Sequence, residues 1–583
     1  MTTTETSSTN ANWRPARWGW PDAAILLVGS LLLFTGLGVR SLWHSEGRWA
    51  EITREMLLTG DFLHPTIGGE PYFDKPVGTY WVVAATAAIT GTLNEWAARC
   101  PSALAGLCTI ACTLWLGRRL WSVSTGRIAA ALLVTTYGFL FYSRTANADM
   151  ENVAAIMLAL VWYWSQRDQS SFVDFLVFYL IVFIGALMKG LPAVIIPVLA
   201  VVPDIVMRRR WRAVLTPQHL LAMCVGLAVY FAPFVYASLG KTGTYQSSGL
   251  ALVFRENVVR FFRPFDHTGP VYLYLYYLPV LLMPWAPLFI AGVVGLLCNW
   301  KTLDDRLKWL LWATGVIFVF FTASGSRRGY YILPLLPFCA LLCAAFMVRF
   351  GNAGLESARR HGVRVQGGLV VVVILMELLG PFIVSAAQGR FAMWIPQGLY
   401  FSLLAVGVAA CTVGGVAWKL NREAEAPQVR LFWGMFAGAA VLMGGFFCWQ
   451  QDIFEVFRTE RSFALELRAK VSSLASEEIA FYRNSSANML FYMGAERPLP
   501  VLRNAEELQA FVAGGEKRSV ITRRKFVEDA CAAAPRVLHD QPDLAEPGPR
   551  WAAGPADDDW VAWIVSRSDE NGEREKRQAE KSQ

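Results

Sequence analysis

Charge is scarce in this sequence: Asp, Glu, Lys and Arg make up 17% of its 583 residues, against 55% hydrophobic residues. With a mean hydropathy of +0.37, that balance excludes an ordinary soluble protein, and the length exceeds a bundle of a few helices. Ligand-like cysteine spacing is also missing. Cys100, Cys108, Cys112, Cys224, Cys298, Cys339, Cys343, Cys411 and Cys448 lie in or beside apolar runs, as small buried hydrophobes do. Only Cys531 follows residue 450, so that segment closes no internal disulfide. Although the formal net charge is +8, the basic residues form no stripe and accompany no nucleic-acid-binding motif, which argues against a nucleic-acid partner. Gly514-Gly515 is a turn and no phosphate loop, because no Lys-Ser/Thr helix start follows it. No small-residue cleavage site follows the first apolar stretch, so that stretch reads as an uncleaved first helix.

Long apolar runs are abundant. They cover residues 23–39, 97–116, 128–142, 153–164, 172–187, 191–207, 220–239, 271–297, 307–323, 331–348, 368–387, 398–420 and 431–449, which predicts about thirteen membrane spans, several of them short of the usual ~20 residues. Residues 1–22 read as a disordered cytoplasmic start, 23–450 as the transmembrane domain with a first extracytoplasmic loop at 41–95, 451–566 as a small α/β domain, and 567–583 as a charged, disordered tail.

Basic loops fix the expected orientation. Arg14 and Arg17, Arg118, Arg119 and Arg127, Arg208 to Arg210 and Arg212, Lys301, Arg306 and Lys308, Arg349, Arg359, Arg360 and Arg364, and Lys419 and Arg422 fall on one side, which the positive-inside rule makes cytoplasmic. Segments 42–80, 147–151, 240–270 and 324–330, Lys189, and everything after Gln450 then lie outside, in a periplasm or its equivalent.

The stretch 42–80 gathers Arg48, Glu51, Arg54, Glu55, Asp74 and Lys75 with aromatics and a Gly-Gly turn between two apolar runs. Such a concentration points to a site facing an aqueous cavity; the alternative is a solvated amphipathic loop. Its string SEGRWAEITREML, then TGDF and PYFDKPVGTYW, resembles the first extracytoplasmic loop of the bacterial lipid A aminoarabinose transferases. That group belongs to the GT-C superfamily of polyprenyl-phosphate-sugar-dependent glycosyltransferases, which also holds the protein O-mannosyltransferases. NADMENVAAIMLAL, LMKGLPAVIIPVL, FRENVVRFF with HTGP after it, and SGSRRGYYILPLLP extend the likeness through the membrane region. One position departs from the pattern Asp-Glu-x-Arg-Tyr-Ala-Glu: Ser45 stands at the Asp that is the family's usual catalytic carboxylate, while Glu46, Arg48, Ala50 and Glu51 match and Trp49 replaces Tyr.

The resemblance implies a GT-C-type, α-helical polytopic protein of the bacterial inner membrane, with its active site and C-terminal α/β domain periplasmic. Its implied activity moves a sugar, aminoarabinose-like or another pentose or hexose, from undecaprenyl phosphate to lipid A or another envelope glycan or lipid. Protein O-mannosyl transfer is the alternative among enzymes. A lipid or sugar transporter is the alternative of another class, opposed by the lack of an inverted repeat in the hydropathy. Such a transfer expels a phosphate, so it needs cations for the leaving group and a placed nucleophile. Arg48, Lys75, Lys189, Arg260, Arg327 and Arg328 are the expected phosphate-binding residues, with an interfacial anchor as the alternative for Arg327 and Arg328. Glu46 and Asp149 are the expected catalytic carboxylates, with a helix N-cap as the alternative for Asp149. The same two are candidates for sharing a divalent metal ion, without a defined third ligand; no other cofactor is implied. His44, His64 and His267 are lone histidines that read as hydrogen-bonded or interfacial. The loss of a base at position 45 leans toward a phosphate acceptor, which is already ionised near neutral pH, although Glu46 or Asp149 as base for a hydroxyl is equally compatible.

Overall fold

A computed structural model describes residues 18–72, 75–239, 255, 259, 268–348, 353–391, 398–422, 427–546 and 558–566. Of the expected disordered ends, 1–22 and 567–583, residues 1–17 and 567–583 lie outside the described residues, as do Asp74, Arg260 and His267, whereas residues 20–22 open the first helix.

Every apolar run falls on a helix or a bent helix pair. α1 (Trp20–Phe34) opens the chain, and α2 (Glu46–Thr59) and α3 (Gly78–Thr90) precede the long α4 (Glu95–Leu120). α5 (Val123–Val134) and α6 (Tyr137–Ser143) meet at 66°, followed by α7 (Asp149–Ser165), α8 (Phe172–Met188), α9 (Pro192–Met207) and α10 (Pro217–Leu239). α11 (Leu273–Leu281) and α12 (Ala286–Cys298) meet at 119°. α13 (Asp305–Ala323), α14 (Leu336–Val348), α15 (Ala353–Phe391), α16 (Leu399–Leu420) and α17 (Pro427–Gly445) complete the apolar part. Among the described residues, seven helices are long and apolar enough to cross a membrane, or nine if each bent pair is one span, and α1, α8 and α9 are shorter apolar helices. The chain is a polytopic helical membrane protein.

Close approach and buried charge lock the bundle. A Cβ on Gly126 of α5 would stand 2.4 Å from the Leu114 carbonyl oxygen of α4, so only glycine lets these two helices touch there. Asp22, fully buried in the first turn of α1, lies 2.7 Å from the Arg118 guanidinium and accepts a hydrogen bond from Arg127 at 2.9 Å, tying α1 to the α4–α5 connection.

The segment expected as a first loop contains real helices. In α2, Trp49, Ile52, Thr53 and Met56 repeat at helical spacing and are buried, and Gly60 at φ 71° ends the helix as left-handed C-terminal glycines do. The helix lies against Ala487–Met493, a short helix near the end of the chain. A five-stranded sheet follows the last span: β3 (Ile479–Tyr482) runs parallel to both β4 (Val501–Leu502) and β5 (Lys517–Arg523), and β7 (Trp560–Ser566) lies antiparallel between β5 and β6 (Leu544–Ala545). The remaining two strands, β1 (Thr66–Ile67) and β2 (Glu70–Pro71), form a small hairpin after α2. α18 (Glu460–Lys470) and α19 (Ala487–Met493) cover one face of the large sheet, and α20 (Ala505–Ala513) and α21 (Val527–Ala533) cover the other.

The sheet and the membrane part share a core. Phe481, Ile521 and Trp560 belong to the same apolar cluster as Leu42, Ala50, Ala98 and Ala146. A Cβ on Gly47 of α2 would overlap Asn488 of α19, reaching 2.7 Å from its backbone nitrogen. Tyr492 accepts a hydrogen bond from the Leu42 N–H at 2.6 Å and donates to Glu95 at 3.1 Å, while Arg54 donates to the Ala495 carbonyl at 2.6 Å. The residues that carry the candidate chemistry are thus clamped between helices and sheet.

Candidate active site

A cavity of about 380 Å³ opens where the start of α2, the α6–α7 connection, the α8–α9 connection and the segment after α13 converge. Ser45, Glu46, Arg48, Lys75, Asp149, Lys189 and Arg328 all line it, although they come from five separate stretches of the chain.

The two expected carboxylates differ in what they are free to do. Both Glu46 oxygens are consumed: Oε1 accepts from Arg99 and from the Ala146 N–H, each at 2.8 Å, and Oε2 accepts from Arg99 at 2.8 Å and the Trp43 N–H at 3.0 Å. Arg99 in turn donates to the carbonyls of Leu37, Arg40 and Ser41. Burial works to raise the pKa of the Glu46 carboxyl, but the Arg99 guanidinium and the Ala146 N–H outweigh it and hold the carboxyl below the usual carboxylate range. Glu46 therefore corrects the expectation of a base or metal ligand at that position: four bonds leave it no lone pair for substrate or cation. Among the described residues there is no cluster of three or more His, Cys, Asp and Glu able to hold a metal ion, and Glu46 and Asp149 do not fit a shared divalent ion.

Asp149 is otherwise placed. It is the first residue of α7, whose N-cap is Ala148, and it makes no capping bond. Its carboxylate forms an ion pair with the Lys189 ammonium, so the N-cap alternative gives way to a charge pair at the cavity wall. Lys189 ends α8 and faces the rings of Tyr330 and Tyr331 at 5.7 and 5.1 Å. Across the first segment, Arg48 donates to the Tyr72 hydroxyl at 2.8 Å and lies 5.5 Å from the Trp49 ring centre, while its Nε is buried without a hydrogen-bond partner. Arg328 donates to the Tyr330 hydroxyl at 3.0 Å.

Arg327 is a correction. It does not line the cavity: its Nε donates to the Thr322 carbonyl at 3.0 Å and its Nη1 to the Gly269 carbonyl at 2.7 Å. In the extended backbone at 327–328, neighbouring side chains point to opposite sides, so one arginine faces the cavity and the other braces the wall. Arg260 and His267 lie outside the described residues. His64 bridges Asp61 at 2.8 Å and the Ala237 carbonyl at 3.1 Å, which is a structural placement. Sequence reasoning missed Arg99, the partner that disarms Glu46. An arginine inside the apolar run 97–116 was the signal, because a charge there demands a partner.

The chain is similar to several known proteins. A family model described as dolichyl-phosphate-mannose-protein mannosyltransferase matches residues 74–236. The undecaprenyl phosphate-alpha-4-amino-4-deoxy-L-arabinose arabinosyl transferase of Pseudomonas paraeruginosa is 27% identical over 433 residues, spanning 71% of this chain and 74% of that relative. A second relative of the same description, from Pseudomonas fluorescens, is 30% identical over 385 residues, 62% of this chain and 65% of its own. The crystal structure of ArnT from Cupriavidus metallidurans bound to undecaprenyl phosphate superposes with a TM-score of 0.71 over 94% of this chain and 98% of that one, at 18% identity. The chain shares the fold of that solved structure. In this fold the cavity sits where the apolar bundle meets the C-terminal sheet region, with Arg40, Arg48, Lys75, Arg328, Arg458, the Lys189–Asp149 pair and several aromatic rings on its walls.

Proposed function

We propose that this chain transfers a sugar, aminoarabinose or another pentose or hexose, from an undecaprenyl-phosphate carrier to lipid A or another cell-envelope lipid or glycan at the periplasmic face of the bacterial inner membrane. The observation that carries the reading is the convergence of Arg48, Lys75, Lys189 and Arg328 on one cavity beside apolar helices. A polyprenyl phosphate needs that pairing: a charged cradle for its head and an apolar bundle beside its tail. The two arabinosyl transferases above, named for an undecaprenyl-phosphate donor, support the same carrier.

In this reading the acceptor oxygen attacks the anomeric carbon, the bond from that carbon to the carrier phosphate breaks, and the electron pair leaves on the phosphate. Arg48, Lys75 and Arg328 take up the charge that develops there. Lys189, held by Asp149, presents a further ammonium whose position is fixed before substrate arrives. The Glu46–Arg99 knot shapes the backbone of residues 37–46 and stays out of the chemistry. The chain after Gln450 is periplasmic in this reading, and its Arg458 completes the wall. The family description at 74–236 keeps transfer to a protein hydroxyl as a second reading, with Asp149 as its base.

Purified protein supplied with a radiolabelled undecaprenyl-phosphate sugar and either lipid A or a hydroxyl-bearing peptide tests both. Label in lipid A supports the first reading, label in peptide the second, and label in neither overturns both. A reporter active only in the cytoplasm, fused at Arg497, stays dark if the sheet region is periplasmic.

A further inference from the structure

Away from the cavity, a second set of arginines outnumbers its counter-charges. α7 and α9 begin beside the cavity, with Asp149 and Pro192 on its wall, and their other ends lead into the α7–α8 and α9–α10 connections. Residues 166–174 and 204–216 hold Arg167, Arg208, Arg209, Arg210 and Arg212 against Asp168, Asp174 and Asp204. Two of those three carboxylates are already spent. Asp174 accepts from the Ser171 N–H at 2.9 Å and from its hydroxyl at 2.7 Å, capping α8. Asp204 accepts from the Tyr163 hydroxyl at 2.5 Å and from Arg167 Nε at 2.9 Å, and the Arg167 guanidinium lies 4.2 Å from the Trp164 ring centre.

Asp168 is shared. Arg208 forms an ion pair with it and Arg210 approaches it at 3.6 Å, while Arg210 also donates to the carbonyls of Arg167 at 2.9 Å and Asp168 at 3.2 Å. Two guanidiniums are thereby pinned at one carboxylate, and Nη1 of Arg208 is buried without a hydrogen-bond partner. Arg209 and Arg212 are exposed, and Arg212 lies 5.3 Å from the Trp211 ring centre. Beside them Trp211 is 51% exposed and Leu215 72%. The α4–α5 connection is a contrast, since Arg118 and Arg127 are both paired with Asp22. The positive-inside rule accounts for arginines on this side of the bundle. It does not account for a pinned pair whose buried Nη1 lacks an acceptor.

We propose that Arg208, Arg210 and Arg212 clamp the phosphodiester head of an anionic membrane lipid, with Trp211 and Leu215 resting among its upper acyl chains. Guanidinium forks match phosphate oxygens, and a surplus of positive charge favours a head of net negative charge over a zwitterionic one, whose ammonium it repels. A bare tryptophan and leucine at the rim of the bundle supply the apolar half of the contact, which a free anion in solution would leave unused. The bound head joins the α7–α8 connection to the α9–α10 connection, bracing the ends of two helices whose opposite ends stand at the cavity. The site goes beyond the transfer reading and exists whatever the chain transfers.

The test measures, by native mass spectrometry, the binding of phosphatidylglycerol and of phosphatidylcholine with identical chains to the full-length protein in neutral detergent, with the thermal midpoint as a check of folding. The unsubstituted protein is expected to bind phosphatidylglycerol about tenfold more tightly or better, the scale that two arginines at a membrane surface supply. Arg208→Gln should remove most of that preference, and Arg212→Gln, at an exposed position, should cut it about threefold. Arg364 is exposed on α15 in another basic cluster of the same side, so Arg364→Gln removes the same charge elsewhere and should leave the preference within about twofold. Inorganic phosphate at the lipid's concentration should not displace phosphatidylglycerol. Equal losses in Arg212→Gln and Arg364→Gln would reduce the effect to diffuse attraction and overturn the proposal. A preference that survives Arg208→Gln and Arg212→Gln together, equal binding of the two lipids by the unsubstituted protein, or full displacement by inorganic phosphate would overturn it as well. If Arg208→Gln fails to fold, the comparison of Arg212→Gln with Arg364→Gln decides alone.

Discussion

Two charged centres sit on the wall of one cavity and behave oppositely. Around Glu46 every acceptor and nearly every donor is matched, with Arg99 spending its guanidinium on Glu46 and three backbone carbonyls. Around Asp149 the carboxylate has one ammonium partner and an open side, and the nearby Arg48 keeps an Nε without a hydrogen bond. A saturated centre holds shape, and an unsaturated one waits for a ligand. Charge density along the chain does not separate the two; only the hydrogen-bond count does.

Substitutions can break that contrast, and the largest effect is expected in the cradle. Lys75→Ala should cut sugar transfer by about 10³-fold with expression unchanged, the loss seen when a preorganised charge stabiliser is removed; near-normal turnover would take Lys75 out of the site. Asp149→Asn should cost about 10²-fold in kcat by freeing Lys189, with a smaller stability loss than at Glu46, because the Lys189 side chain stays 20% exposed whereas that of Arg99 is fully enclosed. Glu46→Gln should do the reverse: transfer per folded molecule stays within about fivefold while stability falls by about 3–5 kcal/mol, the cost of leaving Arg99 buried without its counter-charge. Because the folded protein depresses the Glu46 pKa, this contribution is complete at neutral pH and is lost as pH falls through the folded value, below the ordinary carboxylate range. Thermal midpoints of the two proteins should therefore converge in acid and separate at neutrality, and a gap that is constant with pH would assign the loss to packing. Arg327→Gln should slow transfer less than threefold, and Ser45→Ala should change it least, whereas Ser45→Asp should lower use of an anionic acceptor. If Ser45→Asp strongly raises transfer to a hydroxyl acceptor, the reading of Ser45 as a spared base fails.

Much of this was legible along the chain, and what was not has a common physical origin. The apolar runs, the basic clusters and the cations Arg48, Lys75, Lys189 and Arg328 are local signals, set by hydropathy and by residues that membranes exclude. Glu46 could not be read correctly by itself, since its meaning depends on Arg99, which lies 53 residues away. Arg327 and Arg328 look equivalent in sequence, but an extended backbone sends them to opposite sides. Helix α2 hid inside an expected loop because its apolar face is short and is completed only by contact with α19 and the sheet. Arg458 gave no signal at all: it enters the cavity only because the chain after the last span folds back over Trp43.

That fold-back has a temporal consequence. Arg54 and its acceptor, the Ala495 carbonyl, are 441 positions apart, and a ribosome adding ~5–20 residues per second needs tens of seconds to bring the second after the first. Throughout that interval the glycine-bearing side of α2 has no Asn488 to rest on, and the newly inserted helices hold a half-walled cleft. A chain released early by the ribosome therefore lacks the Asn488 and Ala495 side of this clamp and leaves α2 without its neighbour.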